Sequence, residues 1–165
     1  LRAAGCSVRG NKRFGVVSRD AGSHATLSAC RIDDNGRLGT GVRAGGHVDL
    51  RGCWLHQNGH SGCVVREPGS VLSLRDCHLT QNHRYGAYAR EGGCLELDGS
   101  MFGGNGMYGV SVNHPDSSAT LWGCEFAANR CSDVAAHFGG SLVVHRGKPE
   151  EVCEGRTCGV VCPAV

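Results

Sequence analysis

Four arginines recur at nearly constant spacing: Arg19, Arg43, Arg66 and Arg90 are separated by 24, 23 and 24 residues. A second series, Arg13, Arg37, His60 and Arg84, runs six residues ahead of the first. A guanidinium is a planar fork of donors that matches carboxylate, sulfate or phosphate oxygens. Two such rows suit an anionic chain, either a polyuronate, a sulfated glycan or an acidic protein surface. The plain alternative is a solvated face whose arginine stems cover apolar surface. Nucleic acid is disfavoured, because no aromatic residues interleave with the rows to stack on bases.

Other chemistry is sparser. Asp33 and Asp34 in "RIDDNG" fall just before Asn35 and read as turn residues. His56, His60, His78 and His83 gather near one corner of two successive repeats, but no two of them share a strand face and no carboxylate completes a ligand set, so no metal is assigned. Cys153, Cys158 and Cys162 are spaced by five and four, which does not match C-x-x-C pairs. They are disulfide candidates, with Cys131 or Cys94 as partners. The odd total of 11 Cys leaves at least one thiol unpaired or intermolecular, and assigns no compartment.

The elements that carry these residues follow from a repeat. Asn11, Asn35, Asn58, Asn82, Asn105 and Asn129 are spaced by 24, 23, 24, 23 and 24 residues. Five positions before each stands Cys6, Cys30, Cys53, Cys77, Ser100 and Cys124. Four after each stands Gly15, Gly39, Gly62, Gly86 and Gly109, with Asp133 ending the run. Apolar residues come in pairs two apart, such as Leu72 and Leu74, or Ala87 and Ala89. Period 2 means strands with one face in and one out.

Three short strands per 23–24 residues make one coil of a parallel β-helix. The expected fold is all-β: a right-handed, single-stranded parallel β-helix of about six coils, rising about 4.8 Å per coil. Leucine-rich repeats would need a helical side, and α-repeats would not tolerate 27 Gly. Stacking sets the six asparagines in a hydrogen-bonded ladder. It also sets the arginines in files, where neighbours repel by roughly 1 kcal/mol in water; Asp20, Glu67 and Glu91 beside them relieve part of this. The Gly column fits a positive φ or tight backbone packing.

The phrase C-x-[LIF]-x-x-N-x-x-x-G, as in "CWLHQNGHSG" (53–62), resembles the repeat of the right-handed β-helix superfamily. That group is similar in fold to pectate lyases and includes mannuronan epimerases, periplasmic copper-maturation β-helices and the β-helical repeats of some F-box proteins. The resemblance covers roughly residues 1–147 and implies a fold shared among unrelated functions. It implies, for an enzyme, a groove along one strand face with acidic residues holding Ca²⁺ and an Arg or Lys base. Epimerases of the fold carry Tyr-Gly-x-Asp-Pro-His. Here "YGAYAR" and "YGVSVN" keep Tyr85-Gly86 and Tyr108-Gly109 without the Asp and His, so both tyrosines read as turn packing.

Residues 1–147 are therefore expected to form the β-helix and 148–165 a Cys-containing tail or cap. Leu1 and Ala3 already occupy the columns of Leu72 and Leu74, so the chain is expected to start inside a coil. No apolar run reaches the 18 or so residues of a membrane span. Charge is uneven: residues 1–90 hold 13 basic and 6 acidic groups (+7), the remainder 4 and 9 (−5).

No catalytic residue and no cofactor is assigned. The leading expectation is a non-catalytic structural or protein-interaction module, a subunit or fragment of a larger assembly whose partner covers the N-terminal coil and its charged faces. The alternative is a carbohydrate-active or carbohydrate-binding β-helix, a polyuronate lyase, epimerase or anionic-glycan binder, using the arginine rows.

Overall fold

The computed structural model describes residues 1–146. Every regular element among them is a strand, so no helix there is long and apolar enough to cross a membrane. After a first coil that opens on the three-residue strand Arg2–Ala4, each full coil contributes a five-residue, a three-residue and a six-residue strand, as in Val71–Arg75, His78–Thr80 and Tyr85–Arg90. The first strand of every coil joins one sheet, here called A, the second joins sheet B and the third sheet C. Sheet A has seven strands; B and C have six each. All pairings are parallel and each strand bonds to its equivalent one coil away, giving a solenoid of about six turns.

Register is held by the columns seen in the sequence. Leu74 pairs with Leu50 on one side and Leu97 on the other, and Leu79 with Leu55 and Phe102. These side chains are fully buried in one continuous core. Few aromatic residues suffice because three walls already stand close together, and Leu, Val and Ala fill the space between them.

Asparagine solves the corner between sheets B and C. The Asn82 Oδ1 accepts from the backbone N–H of Asn58 at 3.2 Å and from its Nδ2 at 3.0 Å. Asn82 Nδ2 donates onward to Asn105 Oδ1 at 3.1 Å and back to the Leu55 carbonyl at 3.0 Å. The same pattern runs from Asn11 to Asn129. Asp133, where the Gly column ends, accepts the last amide hydrogen: Asn129 Nδ2 donates to its Oδ1 at 3.0 Å. The break in the Gly column is thus where the ladder is closed by a carboxylate.

The Gly column belongs to tight packing, not to positive φ. Gly15, Gly39, Gly62, Gly86 and Gly109 are the second residues of the sheet C strands, and a Cβ on any of them would come within 2.6–2.7 Å of a carbonyl oxygen in the next coil. Positive φ falls instead on the residues just before the Asn and Cys columns, for example Asp34 (53°) and Asp76 (52°).

The cysteine column lies at the corner between A and B. Cys77 Sγ donates to the carbonyls of Arg75 and Leu50 at 3.3 and 3.4 Å, and Ser100 Oγ serves the same turn at Asp98. All eight described cysteines are free thiols. Burial pushes the Cys63 thiol far up and that of Cys124 up to about 11. Because only the thiolate attacks, alkylation of the native protein near pH 8 is expected to mark exposed Cys6 and Cys131 and to spare Cys63 and Cys77. Peptide mass spectrometry checks this; modification of Cys63 without unfolding would contradict its buried position. Cys131, a disulfide candidate, is exposed and free, while Cys153, Cys158 and Cys162 lie outside the described residues.

Candidate functional site: an arginine-walled groove

The six-residue strands of sheet C are long enough to carry three outward positions. In Tyr85–Arg90, Ala87 and Ala89 point into the core, and Tyr85, Tyr88 and Arg90 lie on the outer side. Stacking turns these positions into files. Val17, Gly41, Val64 and Tyr88 are direct partners across successive strands. Phe14 and Leu38 are likewise paired. One arginine file ends the first four strands of this sheet, and the other, with His60 in its third place, sits in the corners that precede them.

The outcome is a single groove of about 600 Å³ across the outer face of sheet C. Arg13, Arg37, His60 and Arg84 form one wall; Arg43, Arg66 and Arg90 form the other. Phe14, Val17, Leu38, Gly41, Val64, Tyr85 and Tyr88 form the floor. The two rows that the sequence separates by six residues therefore face one another across a single strand. Arg19 stands in the second file, paired with Arg43, but does not line the groove. Along the axis the groove crosses four coils, three steps of about 4.8 Å.

Its charge is not cancelled locally. Arg66 Nε lies 3.3 Å from Glu67, and Arg90 Nη1 lies 2.9 Å from Glu91, so this wall is partly neutralised. Arg43 is followed by Ala44 and, with Arg13, Arg37 and Arg84, has no carboxylate within ion-pair distance among the described residues. The guanidiniums of Arg13 and Arg37 lie 5.1 and 5.9 Å from the Phe14 ring centroid. That contact holds them over the floor, their forks left for a ligand. Burial, with Arg84, Arg37, Arg90 and His83 nearby, holds the His60 imidazole below its ordinary range; its Nδ1 is 2.7 Å from Ser61 Oγ.

Several sequence expectations are corrected here. Tyr85 and Tyr108 are not turn packing: both begin sheet C strands and stack almost parallel, with centroids 5.9 Å apart. Tyr88 stacks on Tyr85 at 4.6 Å. Phe14, Tyr85 and Tyr88 do lie between the arginine rows, so the absence of interleaved aromatics does not hold. Asp33 is no turn residue. It ends a sheet B strand, and its carboxylate is buried beside Arg31 Nε at 3.2 Å, with Arg9 and His56 each 3.8 Å away. Asp34, at positive φ, is the turn residue. His56 and His78 do share a face, the outside of sheet B, yet His56 turns to Asp33 and His78 stacks on Trp54 at 4.3 Å. The floor residues were missed although a signal existed: they are the outward positions between the two arginine files.

The sequence profile described as the right-handed β-helix region matches residues 2–82. The chain is a right-handed β-helix repeat protein. No curated protein and no solved structure matches it. The matched part of the β-helix runs through Asn82 and so includes both walls up to Arg66, and the coil geometry continues unchanged through the rest of the groove.

Proposed function

We propose that the protein is a non-catalytic binding module whose sheet C groove takes an extended anionic polysaccharide. The observation behind this reading is that two arginine files face each other across an apolar, aromatic floor. The files supply oxyanion contacts, and Tyr85 and Tyr88 give flat surfaces for the apolar faces of sugar rings. Among the described residues, no Asp or Glu lines the groove. Glycoside hydrolysis uses a pair of carboxylates flanking the scissile bond, and the Ca²⁺ of a polyuronate lyase would need acidic ligands. The pectate-lyase-like resemblance thus supports a groove along a strand face without its chemistry. An acidic protein partner, the other occupant suggested by an interaction module in a larger assembly, would meet the same guanidiniums but gains nothing special from the stacked tyrosines.

Titration calorimetry against sulfated and uronate glycans tests the reading. Binding is expected to weaken with salt, since exposed charges are screened beyond about 10 Å at 0.1 M. At roughly 0.5–1 kcal/mol for each partly exposed charge pair, the Arg43/Arg66/Arg90→Ala triple variant should weaken binding about 10- to 100-fold. Gly41→Phe should block the groove without disturbing the coil, because a Cβ there meets only ordinary contacts at 3.5 and 3.9 Å. Failure to bind any anionic glycan at low salt, affinity unchanged in both variants, or tighter binding to single-stranded nucleic acid or an acidic protein would overturn it.

His60 adds a pH dependence. Held below its usual range, it is neutral near pH 7. A bound polyanion offsets the repulsion from Arg84, Arg37, Arg90 and His83 and raises its affinity for a proton. Binding of a sulfated glycan, whose own charge is constant, should therefore tighten as pH falls from about 7 to about 5. His60→Gln should flatten that profile, and an equally steep profile in the variant would assign the effect elsewhere.

A further inference from the structure

Sheet A carries a second constellation, on a different wall from the groove. His24 and His47 are direct partners on adjacent strands, one coil apart. Asp49 stands two residues beyond His47 on the same strand, so its side chain leaves by the same outer face. The two imidazoles turn toward the carboxylate from different sides: His24 Nε2 lies 2.8 Å from Oδ2, and His47 Nε2 lies 3.2 Å from Oδ1. One ligand atom from each of the three lies within 4.8 Å of the others. The rings are 4.7 Å apart at their centroids and tilted by 38°.

We propose that His24, His47 and Asp49 bind a divalent transition-metal ion, of which Zn²⁺ is the archetype, across the second and third coils. Two imidazoles and a carboxylate are borderline donors suited to Zn²⁺, Co²⁺ or Cu²⁺ rather than Ca²⁺ or Mg²⁺. Ligands about 2.0–2.2 Å from a tetrahedral ion stand roughly 3.3 Å from one another. The two nitrogen–oxygen separations are already near that value, so small side-chain rotations admit the ion. Three ligands leave the fourth position of a tetrahedral ion for water or an exogenous ligand, and solvent can reach the site, since the side chains of His24, His47 and Asp49 are 51%, 39% and 26% exposed. Thr26 Oγ1 also lies 3.3 Å from His24 Nε2. The scaffold fixes the geometry: both strands are tied into sheet A by backbone hydrogen bonds, and Ala25, Leu27, Val48 and Leu50 anchor their inner faces in the core. Binding links two coils, so metal is expected to stabilise the fold as well.

Titration of the full chain with Co²⁺ alone, followed optically, and with Zn²⁺ alone, followed calorimetrically, tests the site. One equivalent is expected with visible ligand-field bands and no thiolate-to-cobalt charge transfer, which separates this site from the 11 cysteines. Loss of a mere supporting partner to a metal ligand costs about 10- to 100-fold in affinity; His24→Ala and His47→Ala, which remove ligands, should each cost at least as much. Asp49→Asn should weaken binding, and Zn²⁺ should raise the melting temperature of wild type but not of His24→Ala. His24→Gln provides a second test with a closer fit in size. Equal stoichiometry and affinity in wild type and the His variants, a dominant thiolate band, or no binding at millimolar metal would overturn the proposal. None of these outcomes bears on glycan binding, which is measured on another face.

Discussion

Asn82→Leu is expected to prevent the β-helix from folding, or to lower its melting temperature by more than 10 °C. The Asn82 side chain makes four hydrogen bonds in a fully buried corner. Leucine has similar bulk but strands the Asn58 N–H, one Nδ2 hydrogen of Asn58 and the Leu55 carbonyl, while Asn105 Oδ1 keeps only the backbone N–H of residue 82. At about 1–3 kcal/mol for each of these three stranded groups, the loss is about 3–9 kcal/mol against a total stability of about 5–15 kcal/mol. For a domain of this size each kcal/mol moves the midpoint by about 2–4 °C. Asn82→Asp keeps the two acceptor functions and loses both donations, setting a carboxylate oxygen against a carbonyl and an amide oxygen. It should be nearly as damaging. Asn129→Leu removes as many bonds at a half-buried rung where water can substitute, and should cost clearly less. Thermal and urea melts of the three variants check this order. A melt of Asn82→Leu within a degree of wild type would mean that the ladder does not set the register.

The ladder was legible because a solenoid converts period in sequence into position in space. Any residue type that recurs every 23 or 24 places must form a file, so strands, corners and core could be read from columns alone. Facing is harder to read. Both arginine files were visible, yet their meeting across one groove depends on which residues of a six-residue strand point outward. That is set by where the strand begins, which the period leaves open by one place. Asp33 shows the consequence: a strand one residue longer turns a corner carboxylate into one buried under arginine. Tyr85 and Tyr108 moved from corner to strand for the same reason. His24 and His47 lie one repeat apart and would have been found by asking for columns of histidine. Proximity along the chain pointed instead to His56, His60, His78 and His83, which the structure separates: His56 and His78 lie on sheet B, His60 in the groove wall and His83 in the corner between strands.

Gly86→Ala is expected to cost about 3 kcal/mol, near the top of the range for forcing extra volume into a packed interior. The φ of Gly86 is not in the left-handed region, so alanine is locally permitted and the whole penalty is steric. The new Cβ would lie 2.6 Å from the Gly109 carbonyl oxygen, 2.8 Å from Phe102 Cδ1 and 3.1 Å from Asn105 Nδ2. Phe102 can rotate only within a close-packed core. The Gly109 carbonyl belongs to a coil whose distance is fixed on both sides of the contact, by the Asn82–Asn105 bond before it and by the pairing of Ala87 with Val110 after it. Relief therefore needs the two coils to part locally and stretch the ladder. A fall in melting temperature of about 6–12 °C follows. Gly41→Ala is the matched comparison: it also lies in a sheet C strand without positive φ, but its Cβ enters the open groove with contacts no closer than 3.5 Å. It should melt within about 2 °C of wild type. If both variants melted alike, contact between coils would not be the reason that glycine recurs four residues after each asparagine.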